Sequence, residues 1–169
     1  MKSLATFVAL AGLVVVSGCS PVDSKDFSRG DLDACAGVTV EVNYGVLSDD
    51  DNAECVEFEG ESALAADVLA FAGVTTEGTE AYGDLVVCRV NDLPSATEEI
   101  VVEGEDPYLE TCVDMPPAFA YWALWQKPDP QSPWDYAMEG VGTLMVTPGS
   151  SLGLAFSSGD DVVMPSIEP

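Results

Sequence analysis

The chain has 169 residues, the length of one ordinary domain with short extensions. Thirty acidic residues face five basic ones, for a net charge of -25, and there is no histidine. That balance argues against nucleic acid as a partner, because few cations remain to neutralise phosphates. It also removes the commonest general base and the commonest neutral metal ligand, so no enzyme is expected. A hydrophobic content of 47% excludes a disordered acidic chain.

The first 18 residues read as an address. Met1-Lys2-Ser3 precedes an apolar run from Leu4 to Val16, followed by Ser17-Gly18-Cys19. One positive charge, a short apolar stretch and small residues make a secretory signal, and the run is too short to span a membrane. Val16-Ser17-Gly18-Cys19 resembles the bacterial lipobox. That resemblance implies cleavage before Cys19, lipidation of its thiol and acylation of its new amine, as by palmitate. Lipid on Cys19 would then be the membrane anchor. Without residues 1–18 the chain keeps 151 residues (169 less 18) and, having lost Lys2, a charge of about -26. An anionic membrane surface would repel such a body. Residues 19–34 are polar, lack periodicity and are expected to form a flexible tether.

Val38, Val40, Val42 and Tyr44 alternate with Thr39, Glu41 and Asn43, which predicts a half-buried strand. The acidic loop Asp49-Asp50-Asp51-Asn52 leads to a second strand over Cys55–Glu59. Ser62 is a candidate cap for a helix ending at Gly73, with Leu64, Val68 and Phe71 on one face. Strands are expected at Leu85–Val90, Ile100–Val102, Phe119–Trp125, Trp134–Met138, Gly142–Val146 and Leu152–Phe156. Asn91-Asp92-Leu93-Pro94 and Pro148-Gly149 are turns, and 157–169 reads as a frayed tail. The fold class that follows is α+β, a mixed sheet of about 6–8 strands with one main helix across it.

Few motifs point to chemistry. Gly149-Ser150-Ser151-Leu152-Gly153 fits G-x-S-x-G, but the chain has no histidine base, and a strand is expected after it instead of a helix. The acidic loop with Glu54 lacks the alternation and central glycine of a calcium loop and reads as solvated. Many carboxylates could in principle pair to cleave glycosides, but none is singled out. Besides Cys19 there are Cys35, Cys55, Cys88 and Cys112, an even number. In an exported chain these suggest two disulfides, with three connectivities open. A zinc site would lack both histidine and C-x-x-C spacing. Arg89 and Lys127 could each anchor an anion, with a local salt bridge as the alternative. Aromatics carry the strongest signal. Seven of the chain's fourteen, from Tyr108 to Tyr136, fall within 29 residues. Alternation sends Phe119, Tyr121 and Trp125 to one strand face and Trp122 and Leu124 to the other. One face should line the core, and the other needs cover or binds something.

Several segments together resemble the transcobalamin-like C-terminal domain in its bacterial, two-disulfide form. They are the hairpin Val38–Tyr44 with Cys55–Glu59, the helix Ser62–Gly73, Cys88-Arg89 with Asn91-Asp92-Leu93-Pro94, Cys112 with Pro116-Pro117, Tyr121-Trp122-Ala123-Leu124-Trp125, Trp134-Asp135-Tyr136 and Pro148-Gly149-Ser150. The likeness covers residues 35–156. It implies a β-grasp-like sheet and kinship with the smaller domain of cobalamin carriers, which covers one face of the corrin. It also implies the disulfides Cys88–Cys112 and Cys35–Cys55. A plain hairpin would separate Cys35 from Cys55 by nearly 30 Å, at about 3.3 Å per residue, unless the chain bends back before Val38.

The expected function is a lipid-anchored extracytoplasmic binding module. Tyr121, Trp122, Trp125, Trp134 and Tyr136 would meet a flat hydrophobic ligand such as a corrinoid, with cobalamin as a ligand and no resident cofactor or metal. The alternative is an envelope lipoprotein that acts by protein–protein docking through the same aromatics.

Overall fold

A computed structural model describes residues 26–165. The signal peptide and Cys19 lie outside the described residues. The described residues form ten strands and one α-helix, in chain order: β1 Phe27–Arg29, β2 Val38–Asn43, β3 Asn52–Phe58, β4 Ala63–Leu64, α1 Ala65–Phe71, β5 Thr76–Thr79, β6 Gly83–Val90, β7 Ala120–Lys127, β8 Asp135–Tyr136, β9 Met145–Val146 and β10 Ser151–Ser158. Six of the strands form one mixed sheet in the order β1-β3-β2-β10-β7-β8, parallel only between β2 and β10. β4 pairs with β9, and β5 with β6, as separate two-stranded ladders. The fold class is thus mostly sheet with one short helix.

Alternation decides which face each residue lines. On β2, Val38, Val40 and Val42 are buried while Thr39, Glu41 and Asn43 are half-buried. The valines meet Leu152, Leu154 and Phe156 of β10, together with Ala65, Val68 and Leu69 of α1, in the main core. β10 is central and buried on both faces over Ser151–Ser157. Its other face carries small residues, Gly153 and Ala155, over which Trp125, Trp134 and Val163 form a second, smaller cluster.

The helix is shorter than its sequence suggests. Ala63–Leu64 are taken into the ladder with Val146 and Met145, so the helix starts at Ala65 and Ser62 does not cap it. Gly73 ends it as expected, at φ +81. β3 starts earlier than expected, at Asn52, and that reconciles the disulfides. Val38 pairs with Val56 and Thr39 with Cys55, so Cys55 lies level with the start of β2. The chain before Val38 folds back there, with Gly37 so close to Val56 that a Cβ would meet its carbonyl at 2.1 Å. Cys35–Cys55 and Cys88–Cys112 both form, and they use all four cysteines of the described residues. Each closes a loop of 20 or 24 residues, worth about 3 kcal/mol in the chain-entropy account.

Two expectations for the ends of the domain are corrected. Residues 27–29 of the expected tether form an edge strand, and Phe27 packs on Phe58 at 5.8 Å and on Phe71 at 5.5 Å. Residues 157–158 of the expected tail belong to β10, and the chain beyond returns across the small-residue face. There Val163 donates its N–H to Ser157 Oγ at 3.0 Å, and Pro165 covers Gly153. One strand that the sequence does not mark, β5, is held by β6.

Candidate functional site

β7 divides the aromatic cluster between the two faces. Trp122 turns into the main core, edge-on to Tyr44 at 5.6 Å and to Phe156 at 5.5 Å. Its indole N–H donates to the Leu93 carbonyl at 2.9 Å. Trp125 turns the other way and is only 4% exposed. β8 places Tyr136 opposite Trp125, and the two rings stack at 4.0 Å. Trp122 and Trp125 are therefore packing residues. Their expected role as ligand contacts is corrected by burial, which leaves neither indole a face for a ligand. Phe119 precedes β7 and meets Tyr108 edge-on at 6.0 Å beside the main core, so it does not join Tyr121 and Trp125.

What remains open at this face is smaller. Tyr136 is 40% exposed, while Tyr121 and Trp134 are half-buried. Burial, helped by a hydrogen bond with Tyr121, pushes the Tyr136 phenol up to about 12. Lys127 lies over the Trp134 ring at 5.3 Å. The loop between them is folded by Asp129, which accepts from Ser132 Oγ at 2.7 Å, from Gln131 N–H at 2.9 Å and from Ser132 N–H at 3.1 Å. The Ser132 hydroxyl is the main reason that the Asp129 carboxyl titrates below its usual range. The Trp125 indole N–H is buried without a hydrogen-bond partner, a cost of about 1–3 kcal/mol. Beside this cluster a shallow cleft of about 310 Å³ runs between Leu32–Cys35 and Lys127–Pro130, over Thr39, Glu41 and Ser151.

Arg89 is a hub in the protein interior. Its guanidinium donates to Glu77 Oε2 at 2.7 Å, to the Glu110 carbonyl at 2.6 Å, to the Pro94 carbonyl at 3.0 Å and to Cys112 Sγ at 3.0 Å. It thus joins β5, the Pro94 turn and the Cys88–Cys112 bridge. Glu110, also buried, accepts from the Tyr108 hydroxyl at 2.8 Å and from Cys112 N–H at 2.5 Å. Burial first, then the Glu110 carboxylate, push the Tyr108 phenol up to about 12. Glu77, Cys88 and Cys112 bring possible metal-ligating atoms within 4.8 Å of one another, but the disulfide occupies both sulfurs. In the acidic loop, Asp51 caps Tyr44 N–H at 2.8 Å and Asp50 accepts from Ser48 Oγ at 3.0 Å. Ser151 opens a strand, unlike the serine of a hydrolase elbow.

Sequence reasoning passed over an exposed apolar patch. Tyr82 and Leu85 flank the start of β6, where Ala81 N–H donates to the Val113 carbonyl at 3.0 Å. On the other side Gly140 packs so closely that a Cβ would lie 2.4 Å from Leu85 Cα. Tyr82, Leu85, Val113 and Met138 are all exposed, Met138 at 88%, on segments that these backbone approaches bring near one another. They come from three separate stretches of the chain, so no periodicity marks them as a group. No helix among the described residues is long and apolar enough to cross a membrane. Comparison with protein-family models, with curated proteins and with solved structures finds no match for the chain.

Proposed function

We propose that this chain is a lipid-anchored extracytoplasmic docking domain that holds a protein of the cell envelope. The observation that carries this reading is the patch of Tyr82, Leu85, Val113 and Met138. Exposed apolar side chains on neighbouring segments of a highly charged domain point to an interaction site. Two disulfides suit an oxidising compartment, and the lipobox-like Cys19 supplies the anchor. The resemblance to the transcobalamin-like domain, with its β-grasp-like sheet, adds support for a binding role over a catalytic one. Cys19→Ser should move the protein from the membrane to the soluble fraction. The pair Leu85→Asp and Met138→Asp should abolish partner recovery from detergent-solubilised envelopes while leaving near-UV circular dichroism unchanged. Equal recovery with the double variant would overturn the docking reading.

A second reading rests on Tyr136. Its ring is partly open and backed by Trp125, which makes a rigid stacking platform for a flat ligand such as a corrinoid. Half a carrier covers half a ligand, so binding would be weak. Titration with cobalamin should then saturate below millimolar concentration and be lost in Tyr136→Ala. Failure to saturate would remove this reading and leave the first intact.

A further inference from the structure

A cleft of about 230 Å³ lies between the 3-10 turn Gly45–Leu47 and the loop Leu93–Val101. It is separate from the docking patch. Leu85 stands five residues, or about 17 Å of strand, before Val90 at the end of β6, and Leu93 turns back to pair with Val90. Val46 and Val101 form the lips and are 70% and 77% exposed. Leu47, Leu93 and Pro94 line the interior. Two carboxylates, Glu98 and Glu99, line the cleft as well, and Asp49 and Asp50 come two and three residues after the turn in sequence.

Both walls are fixed from behind. Leu47 N–H donates to the Tyr44 carbonyl at 3.0 Å, and Gly45, at φ +54, is pressed onto the Phe156 carbonyl. On the other side the Leu93 carbonyl accepts from Val90 N–H at 2.8 Å and from the Trp122 indole at 2.9 Å. Arg89 holds the Pro94 carbonyl. Asn91 Nδ2 joins the two walls by donating to the Tyr44 hydroxyl at 2.7 Å. A cleft held this way loses little freedom when it is filled.

We infer that this cleft receives one bulky apolar side chain from a partner protein segment that carries Lys or Arg on either side of it. The volume is below that of a pocket for a drug-sized ligand and suits a single side chain. The apolar side of the lining, Val46, Leu47, Leu93, Pro94 and Val101, calls for an apolar anchor, and Glu98 and Glu99 call for flanking cations. A second copy of this chain is disfavoured because each brings a charge of -25. An anionic lipid surface is disfavoured for the same reason.

The test is fluorescence anisotropy on the full chain in detergent with a short labelled peptide, a tryptophan between paired arginines. A matched peptide with serine in place of tryptophan is the control. Val101→Glu removes an apolar lip and adds a negative charge, so insertion and diffuse attraction give opposite signs. The cleft predicts about tenfold weaker binding by Val101→Glu, little binding of the serine peptide and no change in Leu85→Glu. Glu98→Gln with Glu99→Gln should weaken binding and flatten its salt dependence. Binding that is unchanged or tighter in Val101→Glu, or equal for the two peptides, would overturn the proposal. Self-association abolished by Val101→Glu would assign the cleft to a second copy and overturn it as well.

Discussion

Trp122 reaches from β7 to give its indole N–H to the carbonyl of Leu93, 29 residues earlier in the chain and 2.9 Å away. The bond ties the main core to the loop that walls the acidic cleft. Trp122→Phe keeps an aromatic in the core but removes this donor, and should cost about 1–3 kcal/mol in urea unfolding. Amide exchange should rise around Leu93 and stay slow in β10. Unchanged exchange around Leu93 would show that the loop is held without the indole.

Gly153 is the seat of the returning C-terminal segment. A Cβ there would lie 2.3 Å from Pro165 Cγ and 3.2 Å from Trp134. Gly153→Val should therefore lift that segment and cost about 1–3 kcal/mol. Exchange of the Val163 amide, which Ser157 Oγ now protects, is the readout. It should speed up by at least about tenfold, as expected when a protected terminal segment is released.

Two phenols make the fold sensitive to alkali. Tyr108 and Tyr136 are both pushed from 10.0 up to about 12 in the folded chain. The folded state therefore favours the protonated phenol. That contribution is complete below pH 10 and is lost as pH rises from 10 through 12. Tyr108→Phe and Tyr136→Phe should each flatten the fall in thermal stability across that window. An equally steep fall in the double variant would assign the alkaline limit elsewhere.

Arg89 should be the most sensitive of the charged residues to substitution. Arg89→Met leaves the Pro94 and Glu110 carbonyls without their guanidinium donor, at a cost of about 2–4 kcal/mol. By contrast Arg29, paired with Glu54 at the surface, should cost no more than about 1 kcal/mol when changed to Met. Urea denaturation of the two variants side by side checks the order, and a reversal would contradict the hub.

The sequence made some of this legible, and the reasons are local. Valine alternation marked β2, and Asn91-Asp92 marked a turn that the structure builds with both residues at positive φ, 48 and 64. The small helix was placed but overextended, because Ala63–Leu64 have good helix propensity and only Val146 and Met145, far along the chain, draw them into a strand. Phe27–Arg29 has no periodicity to read, since an edge strand of three residues is specified by its partner β3. The aromatic run reads in sequence as one face for the core and one that needs cover or binds something. Alternation shows that Trp122 and Trp125 take opposite faces. It cannot show that Tyr136 closes over one and the core over the other. The Tyr82–Met138 patch comes from segments distant in sequence, joined by the Val113 and Gly140 contacts.

The docking reading meets its most direct test in living cells. A photoreactive amino acid placed at Met138, which is 88% exposed, should give one discrete cross-linked protein adduct in the envelope. The same group at Asp67, exposed on α1, should give none, and Leu85→Asp should remove the Met138 adduct. Adducts of equal yield from Met138 and Asp67, or none from Met138, would contradict the account.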